Sequence, residues 1–276
     1  MIVVNGLQRR CTCKRSTGTR RFATLSASPA HYMGEIALPP KASIPAAYLV
    51  GCIDLDQQDI GSCTSWAWKK AYKSLCNRKG SAFDPSPRFI YAEERTLEGT
   101  PLDHDDGAML SDGARVLQEI GVSSEALCPY STDAEPADEL FKVAPSQDAL
   151  DDAGRHKARL IFGLPDVVTI KAQIVEGYPV VFAFQVPNAI NDHLPANGGD
   201  GLLTYPAPGA PFEGSHAVNV DGYDDSIIIG SDVGAVHVNN QWGVGCDFWI
   251  SYRWFQRDPV YGALADEMTV VHAGEV

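Results

Sequence analysis

Cys63 stands in the segment DQQDIGSCTSWAW, residues 56–68, where a run of helical spacing begins: Ala67, Ala71 and Leu75 recur every four residues beside Trp68 and Tyr72, with no Pro or Gly before Cys76. A thiol in the first turn of such a helix meets unsatisfied amide N–H groups and the positive end of the helix dipole. With a histidine cation nearby, its pKa drops from about 8.5 to well below neutrality. A cysteine here also serves as a small buried apolar residue, so position alone leaves both readings open. His216, in GSHAVNVDGYDD, stands at the head of a strand-like run behind Gly214 and Ser215, a setting that none of the other six histidines shares. Asn240 and Trp242, in VNNQWG, are two residues apart and share one strand face, while Asn239 points to the other. An amide there orients an imidazole through one ring nitrogen, and the indole shields that bond from water. Thiol, imidazole and amide together are the parts of nucleophilic acyl transfer.

These residues need a helix, a strand and a strand end to present them. Gly61 and Ser62 supply a turn and a cap for a helix from Ser62 to Cys76, and Asn77, Arg78, Lys79 and Gly80 end it with cations that the dipole favours. Further helices are expected over residues 87–97, opened by Pro87, and 111–120, closed by Gly121. Past Pro165 the texture turns to β-branched and aromatic runs at 180–186, 216–223, 226–232, 235–242 and 248–255, bounded by Gly, Asp and Asn. Residues 187–214, rich in Pro, Gly, Asn and Asp, read as one long surface loop, and Ala23 to Tyr48 as an extended linker. Helices followed by strands imply an α+β fold with a helical lobe and a β lobe.

The chain has 276 residues, 45% hydrophobic and 21% charged, enough to bury a core without a metal or disulfide staple. Its formal charge of -13 is unevenly spread. Arg9, Arg10, Lys14, Arg15, Arg20 and Arg21 precede the first acid, Glu35, and removing those six from 22 bases leaves 16 against 35 acids, or -19. A basic arm on an acidic body is expected to fold back on that body rather than bind nucleic acid, with an untethered tail the alternative. No apolar stretch approaches the roughly 20 residues that cross a bilayer. No signal peptide is evident, which leaves the cytoplasm the default location and export by another route open. Seven cysteines make an odd count, so one at least is unpaired within the chain. Cys11 and Cys13 form half of a metal-binding pattern that no second pair completes at zinc spacing. Asp103, Asp105 and Asp106 lack the spacing of a calcium loop and read as a solvated turn.

Taken together, these motifs resemble the papain family of cysteine peptidases, closest in texture to its prokaryotic branch. Gln57 stands six positions before Cys63, as in the family's nucleophile signature; SHAVNVDGY matches its histidine motif; and Asn240, Gln241, Trp242 and Gly243 match its Asn-Ser-Trp-Gly motif. The resemblance extends over about residues 38–255, including DHDDGAMLSDGARVLQEIGV and the stretch from Cys128 to Tyr130. Two departures stand out: Ile60 replaces the usual disulfide cysteine, and Thr64 the usual Trp after the nucleophile. The animal and plant disulfide framework is therefore not expected.

The resemblance implies a two-lobed papain-like fold with a β-barrel-like second lobe and an active-site cleft between the lobes. The basic charge, Pro-rich exit and shortness of residues 1–37 point to a regulatory arm lying in cis across the cleft, while the resemblance sets the lobes at residues 38–160 and 161–276. It also implies that Cys63 attacks a peptide carbonyl, that His216 acts as base and acid, and that Asn240 orients His216. Gln57, with Gln58 as rival, would donate to the oxyanion beside the Cys63 N–H. Gly107, Ala108, Met109, Ser215, Ala217 and Trp242 would line the substrate site, favouring an apolar residue at the second position before the cut. No cofactor or metal is called for, and the partners are peptide or protein substrates, with no nucleic acid or membrane. An acyl-transferring peptide ligase or a catalytically silent binding module would use the same scaffold.

Overall fold

The computed structural model describes residues 2–15, 38–131 and 135–272. Along the chain run β1 (Ile2–Val4), β2 (Leu7–Arg9), β3 (Lys41–Ser43), α1 (Cys63–Arg78), α2 (Pro87–Glu98) and α3 (Leu110–Arg115). There follow α4 (Ala137–Leu140), α5 (Gln147–Ala153), β4 (Leu160–Gly163), α6 (Val167–Glu176), β5 (Val180–Pro187), α7 (Ile190–His193) and β6 (Leu202–Leu203). The long strand β7 (Phe212–Ile229), β8 (Asp232–Asn239), β9 (Phe248–Ser251) and β10 (Ala265–His272) complete the set. Eight strands form one sheet in the order β4-β10-β5-β7-β8-β9-β6, with β3 added on β7. Every pairing is antiparallel except β6 with β9, and the sheet does not close into a barrel.

Both faces of the sheet centre are covered, which explains why VVFAFQV reads as a continuous apolar run rather than an alternating one. Val180, Phe182, Phe184 and Val186 of β5 join the core of the β lobe, whereas Val181 and Ala183 pack with α1. The same period of two splits Val218 and Val220 from Ala217 on β7. Asn219 Nδ2, on the α1 side, donates to the Ala67 carbonyl at 3.1 Å and ties helix to strand.

Helix α2 has the expected construction: Pro87 at its first position, the Ser86 side chain accepting from Phe89 N, and Gly99 ending it in left-handed geometry. The third helix is shorter than the sequence suggests, because residues from Val116 to Ile120 continue as a π-helical turn. The runs at 216–223 and 226–232 are largely one strand. Asp225, which looks like a turn residue, accepts from Lys171 Nζ at 2.8 Å and Tyr252 Oη at 2.6 Å; the chain bulges there and turns only after Ile229. The run at 248–255 ends its strand at Ser251 and finishes as a 3-10 turn. Residues 187–214 are not simply a surface loop, since Ile190, Leu194 and Leu203 are buried in the β-lobe core. The extended linker lies partly outside the described residues.

Candidate active site

Cys63 is the first residue of α1 and is fully buried. Its N-cap, Ser62, makes no side-chain capping bond; that hydroxyl pairs with Tyr130 Oη at 2.7 Å, and Tyr130 in turn donates to the Gln57 carbonyl at 2.7 Å. The first-turn N–H groups are thus left uncapped around the sulfur. Burial pushes the Cys63 thiol up. Hydrogen bonds with the Cys13 thiol and His216, the His216 charge and the backbone N–H of Ala217 outweigh it and hold the thiol well below its ordinary value.

His216 lies within β7, four residues past the strand's start, and its ring is buried. Its Nε2 is 2.9 Å from Asn240 Oδ1. The orientation of the Asn240 amide is fixed, because Nδ2 donates to the Cys246 carbonyl at 3.1 Å and Oδ1 also accepts from Gln241 N at 2.8 Å. Nε2 is therefore the protonated ring nitrogen in that contact. Nδ1 is buried with no hydrogen-bond partner of its own, and it is the ring nitrogen left for the Cys63 thiol, whose pKa the imidazole lowers. Trp242 stacks on the imidazole with centroids 4.4 Å apart and an interplanar angle of 23°, and Phe184 meets it edge-on at 6.0 Å. Asn240 and Trp242 approach the ring from a segment just beyond the end of β8. Asn239 instead turns toward Lys70 and Asp221.

Gln57 is fully buried and gives one Nε2 hydrogen to the Ile60 carbonyl at 2.8 Å, leaving the other for a ligand. Its own N–H donates to the Gln241 carbonyl at 2.9 Å, so the two lobes meet here. Gln58 is exposed in left-handed geometry, with its N–H bonded to Asp56.

Of the other candidate residues, Gly107, Ala108, Met109 and Ser215 flank a groove through which residues 11–14 run, whereas Trp242 stacks on His216 and Ala217 meets Cys63 through its backbone N–H. Cys13 N donates to the Ser215 carbonyl at 3.0 Å and Lys14 N to the Ala108 carbonyl at 2.8 Å, and Lys14 bridges to Met109. A side chain on Gly107, whose φ is +70°, would place its first carbon 1.9 Å from the Thr12 carbonyl oxygen. The described basic residues of this segment all meet acids: Arg9 with Asp56 at 2.6 Å, Arg10 with Asp105 at 3.0 Å and Asp59 at 3.3 Å, Lys14 with Glu98 at 2.7 Å, and Arg15 with Asp266 at 3.6 Å. Two expectations change here. Asp105 is no solvated turn residue, since it also accepts from Gly61 N at 2.9 Å and Tyr91 Oη at 2.6 Å. The groove wall at Met109 is not purely apolar, because Glu98 Oε1 accepts from Met109 N at 2.6 Å while its other oxygen holds Lys14.

All seven cysteines are unpaired, Cys11 and Cys13 lie in the groove, and among the described residues no group of three or more His, Cys, Asp or Glu side chains is placed to hold a metal ion. No helix among them is long and apolar enough to cross a membrane. Sequence reasoning overlooked the N-terminal hairpin that feeds the arm into the groove. Asn5 and Gly6 both have positive φ, and an Asn-Gly turn between IVV and LQR is a strong hairpin signal. Lys70, Asp221 and His237 were missed too, as was their link to Gln241; only the position of a lysine on the apolar run of α1 could have pointed to them.

No family model matches the chain. It is 28% identical to the crystal structure of xylellain, a cysteine protease from Xylella fastidiosa, over 98% of this chain and 99% of that one, with a TM-score of 0.77. A procathepsin L2 proteinase from the Tenebrio molitor larval midgut has a TM-score of 0.63 at 16% identity, covering 98% of this chain and 78% of that one, a likeness of fold alone. A curated relative, an uncharacterized peptidase C1-like protein from Acanthamoeba polyphaga mimivirus, is 27% identical over 215 residues, 73% of this chain. This chain spans 65% of that relative's length.

Proposed function

We propose, from the premise that this chain belongs to the papain-like cysteine peptidase family, that it hydrolyses peptide bonds through Cys63 and His216. In this reading the Cys63 thiolate attacks the carbonyl carbon, and the oxyanion is held by the Cys63 N–H and the free hydrogen of Gln57 Nε2. Preorganised donors of this kind contribute on the order of 3 kcal/mol each. His216 protonates the leaving amine, giving an acyl-enzyme, and then takes a proton from water to release the acid. Asn240 keeps the imidazole aimed, and Trp242 keeps water off that bond. The two lobes are taken as residues 38–160 and 161–276.

The observation that carries this reading is the buried Cys63 thiol, held well below its ordinary pKa by an imidazole whose Nε2 is fixed by an amide of set orientation and whose Nδ1 is otherwise unpartnered. We further infer that residues 2–15 act in cis as an autoinhibitory strand, since they bond to both walls of the groove beside the nucleophile. The test is cleavage of a fluorogenic peptide, together with Cys63 labelling by an epoxysuccinyl thiol reagent, before and after limited proteolysis of the segment from 16 to 37. Both signals should rise on proteolysis and vanish in Cys63→Ala. Their absence from folded, proteolysed protein would reject the peptidase reading, and equal rates before and after would reject the autoinhibitory one.

A further inference from the structure

Seven residues after Cys63, and so on the same face of α1, Lys70 sends its ammonium group into the protein interior, where the residue is 2% exposed. All three of its protons are taken by neutral oxygens: the Asn239 carbonyl at 2.6 Å, Asn239 Oδ1 at 3.0 Å and Gln241 Oε1 at 3.0 Å. Burying a cation among neutral acceptors is costly, and an apolar side chain of similar volume is usually no worse for stability. The arrangement calls for a return in function.

That return lies at the other end of the Gln241 amide. Its Nε2 donates to the Ala217 carbonyl at 2.6 Å and faces the Cys63 carbonyl at 3.4 Å and His216 Nε2 at 3.5 Å. A half-turn of this amide would put Oε1 where Nε2 is. The oxygen would then accept the His216 Nε2 proton in competition with Asn240 and pull the ring out of line with the sulfur. The family motif carries Ser at this position, which has no amide to turn; this chain carries Gln and therefore needs something to hold it.

We propose that Lys70 is a positioning residue for the Cys63–His216 pair: its ammonium group pins Gln241 Oε1 away from the imidazole, so that Asn240 Oδ1 alone takes the Nε2 proton and Nδ1 stays turned to the thiol. The pin is itself held. Asn239 Nδ2 donates to Asp221 Oδ2 at 3.1 Å, which aims Asn239 Oδ1 at the lysine, and Asp221 Oδ1 pairs with His237 at 2.6 Å. The titratable groups around Lys70 are Asp221 and His237 on adjacent strands, Asp247 ahead of β9, and the Cys52 thiol, which donates to the Lys70 carbonyl. Burial brings the Lys70 pKa down to about 8 against the pull of Asp247 and Asp221.

The proposal rests on the peptidase reading for its consequence, but its structural content is tested without turnover. Nitrogen-15 histidine NMR of the full chain, with His216 assigned by its loss in His216→Gln, reads the ring protonation directly. In Lys70→Met the His216 Nε2 resonance should move or split, and in Lys70→Met/Gln241→Ser it should return to the wild-type position. After proteolytic release of the arm, kcat should fall about tenfold in the single variant with KM unchanged and recover in the double one, the size of one ordinary pairwise coupling. An unmoved Nε2 signal in Lys70→Met overturns the proposal, as does failure of the double variant to restore it. If Lys70→Met does not fold, the wild type decides: titration through pH 8 should move the His216 signal there and not in Gln241→Ser, and indifference in both overturns it. A chain without peptidase activity that still shows the NMR response would sink the enzyme reading and leave the positioning intact.

Discussion

Cys13, carried in on the N-terminal arm, shares one buried cluster with Cys63 at the head of α1, and the two thiols shift each other's pKa. The pairing works in opposite directions: it raises Cys13, which burial raises further, and lowers Cys63. Removing Cys13 should therefore shift the Cys63 thiol upward. In Cys13→Ala, the pH profile of Cys63 carbamidomethylation, followed on its peptide by mass spectrometry, is expected to move to higher pH. A profile that stays in place or moves down would mean that His216 and the Ala217 N–H set the thiol by themselves.

Asn240→Ala removes the acceptor of the His216 Nε2 proton from a site closed to water. Leaving a buried donor unpaired costs about 1–3 kcal/mol, or roughly 10- to 100-fold in rate if the loss falls on the transition state. We expect kcat to drop by that factor with KM nearly unchanged. A change confined to KM would place Asn240 in substrate binding instead.

Gly107→Ala is expected to free the groove. The substitution strains a position with φ of +70° and drives a methyl group into the Thr12 carbonyl, and the exposed arm can yield more readily than the packed wall. Faster labelling of Cys63 in the uncut chain is the expected result, together with earlier proteolytic loss of the N-terminal residues. Labelling no faster than wild type would show that the wall, not the arm, gives way.

His272 gives the fold an acid-sensitive point. Burial lowers its pKa to about 4, with the Arg78 charge adding to the effect; the unfolded value is 6.5. Between these values the unfolded chain binds the extra proton and the folded one resists it, so stability rises with pH across that window and is lost as pH falls from 6.5 toward 4. In thermal melts at pH 4.5 and 7.5, His272→Gln should narrow the gap in Tm shown by the wild type; an unchanged gap would assign the acid sensitivity to other groups.

What could be read from the sequence follows from which forces are local. The start of α1, the caps of α2 and the strand runs around Val181 and Val236 depend on propensity, capping and apolar runs within a few residues of themselves. The proximity of Cys63, His216 and Asn240 was also legible, because each sits in a recognisable setting. The unbroken course of β7 was not, since Asp225 signals a turn until Lys171 and Tyr252, far away in sequence, satisfy its carboxylate. Nor was the path of the arm. Arg9 and Lys14 look like solvated charges until the fold brings Asp56 and Glu98 to them. The Lys70 network is hidden for the same reason: Asp221, His237, Asn239 and Gln241 lie on or just beyond β7 and β8, about 150 residues or more from the lysine.

The hairpin ahead of the groove has one more consequence. Ile2 and Val4 are 1% and 0% exposed within the β-lobe core, so the strand beside Cys63 is anchored upstream by packing and downstream by the covalent chain. On the autoinhibitory reading proposed above, it would compete with substrate, while residues 16–37 remain intact, at a local concentration that added peptide hardly matches. After a single cut there it becomes a separate ligand, and its departure obeys mass action. Opening of the groove would then depend on dilution as well as on time.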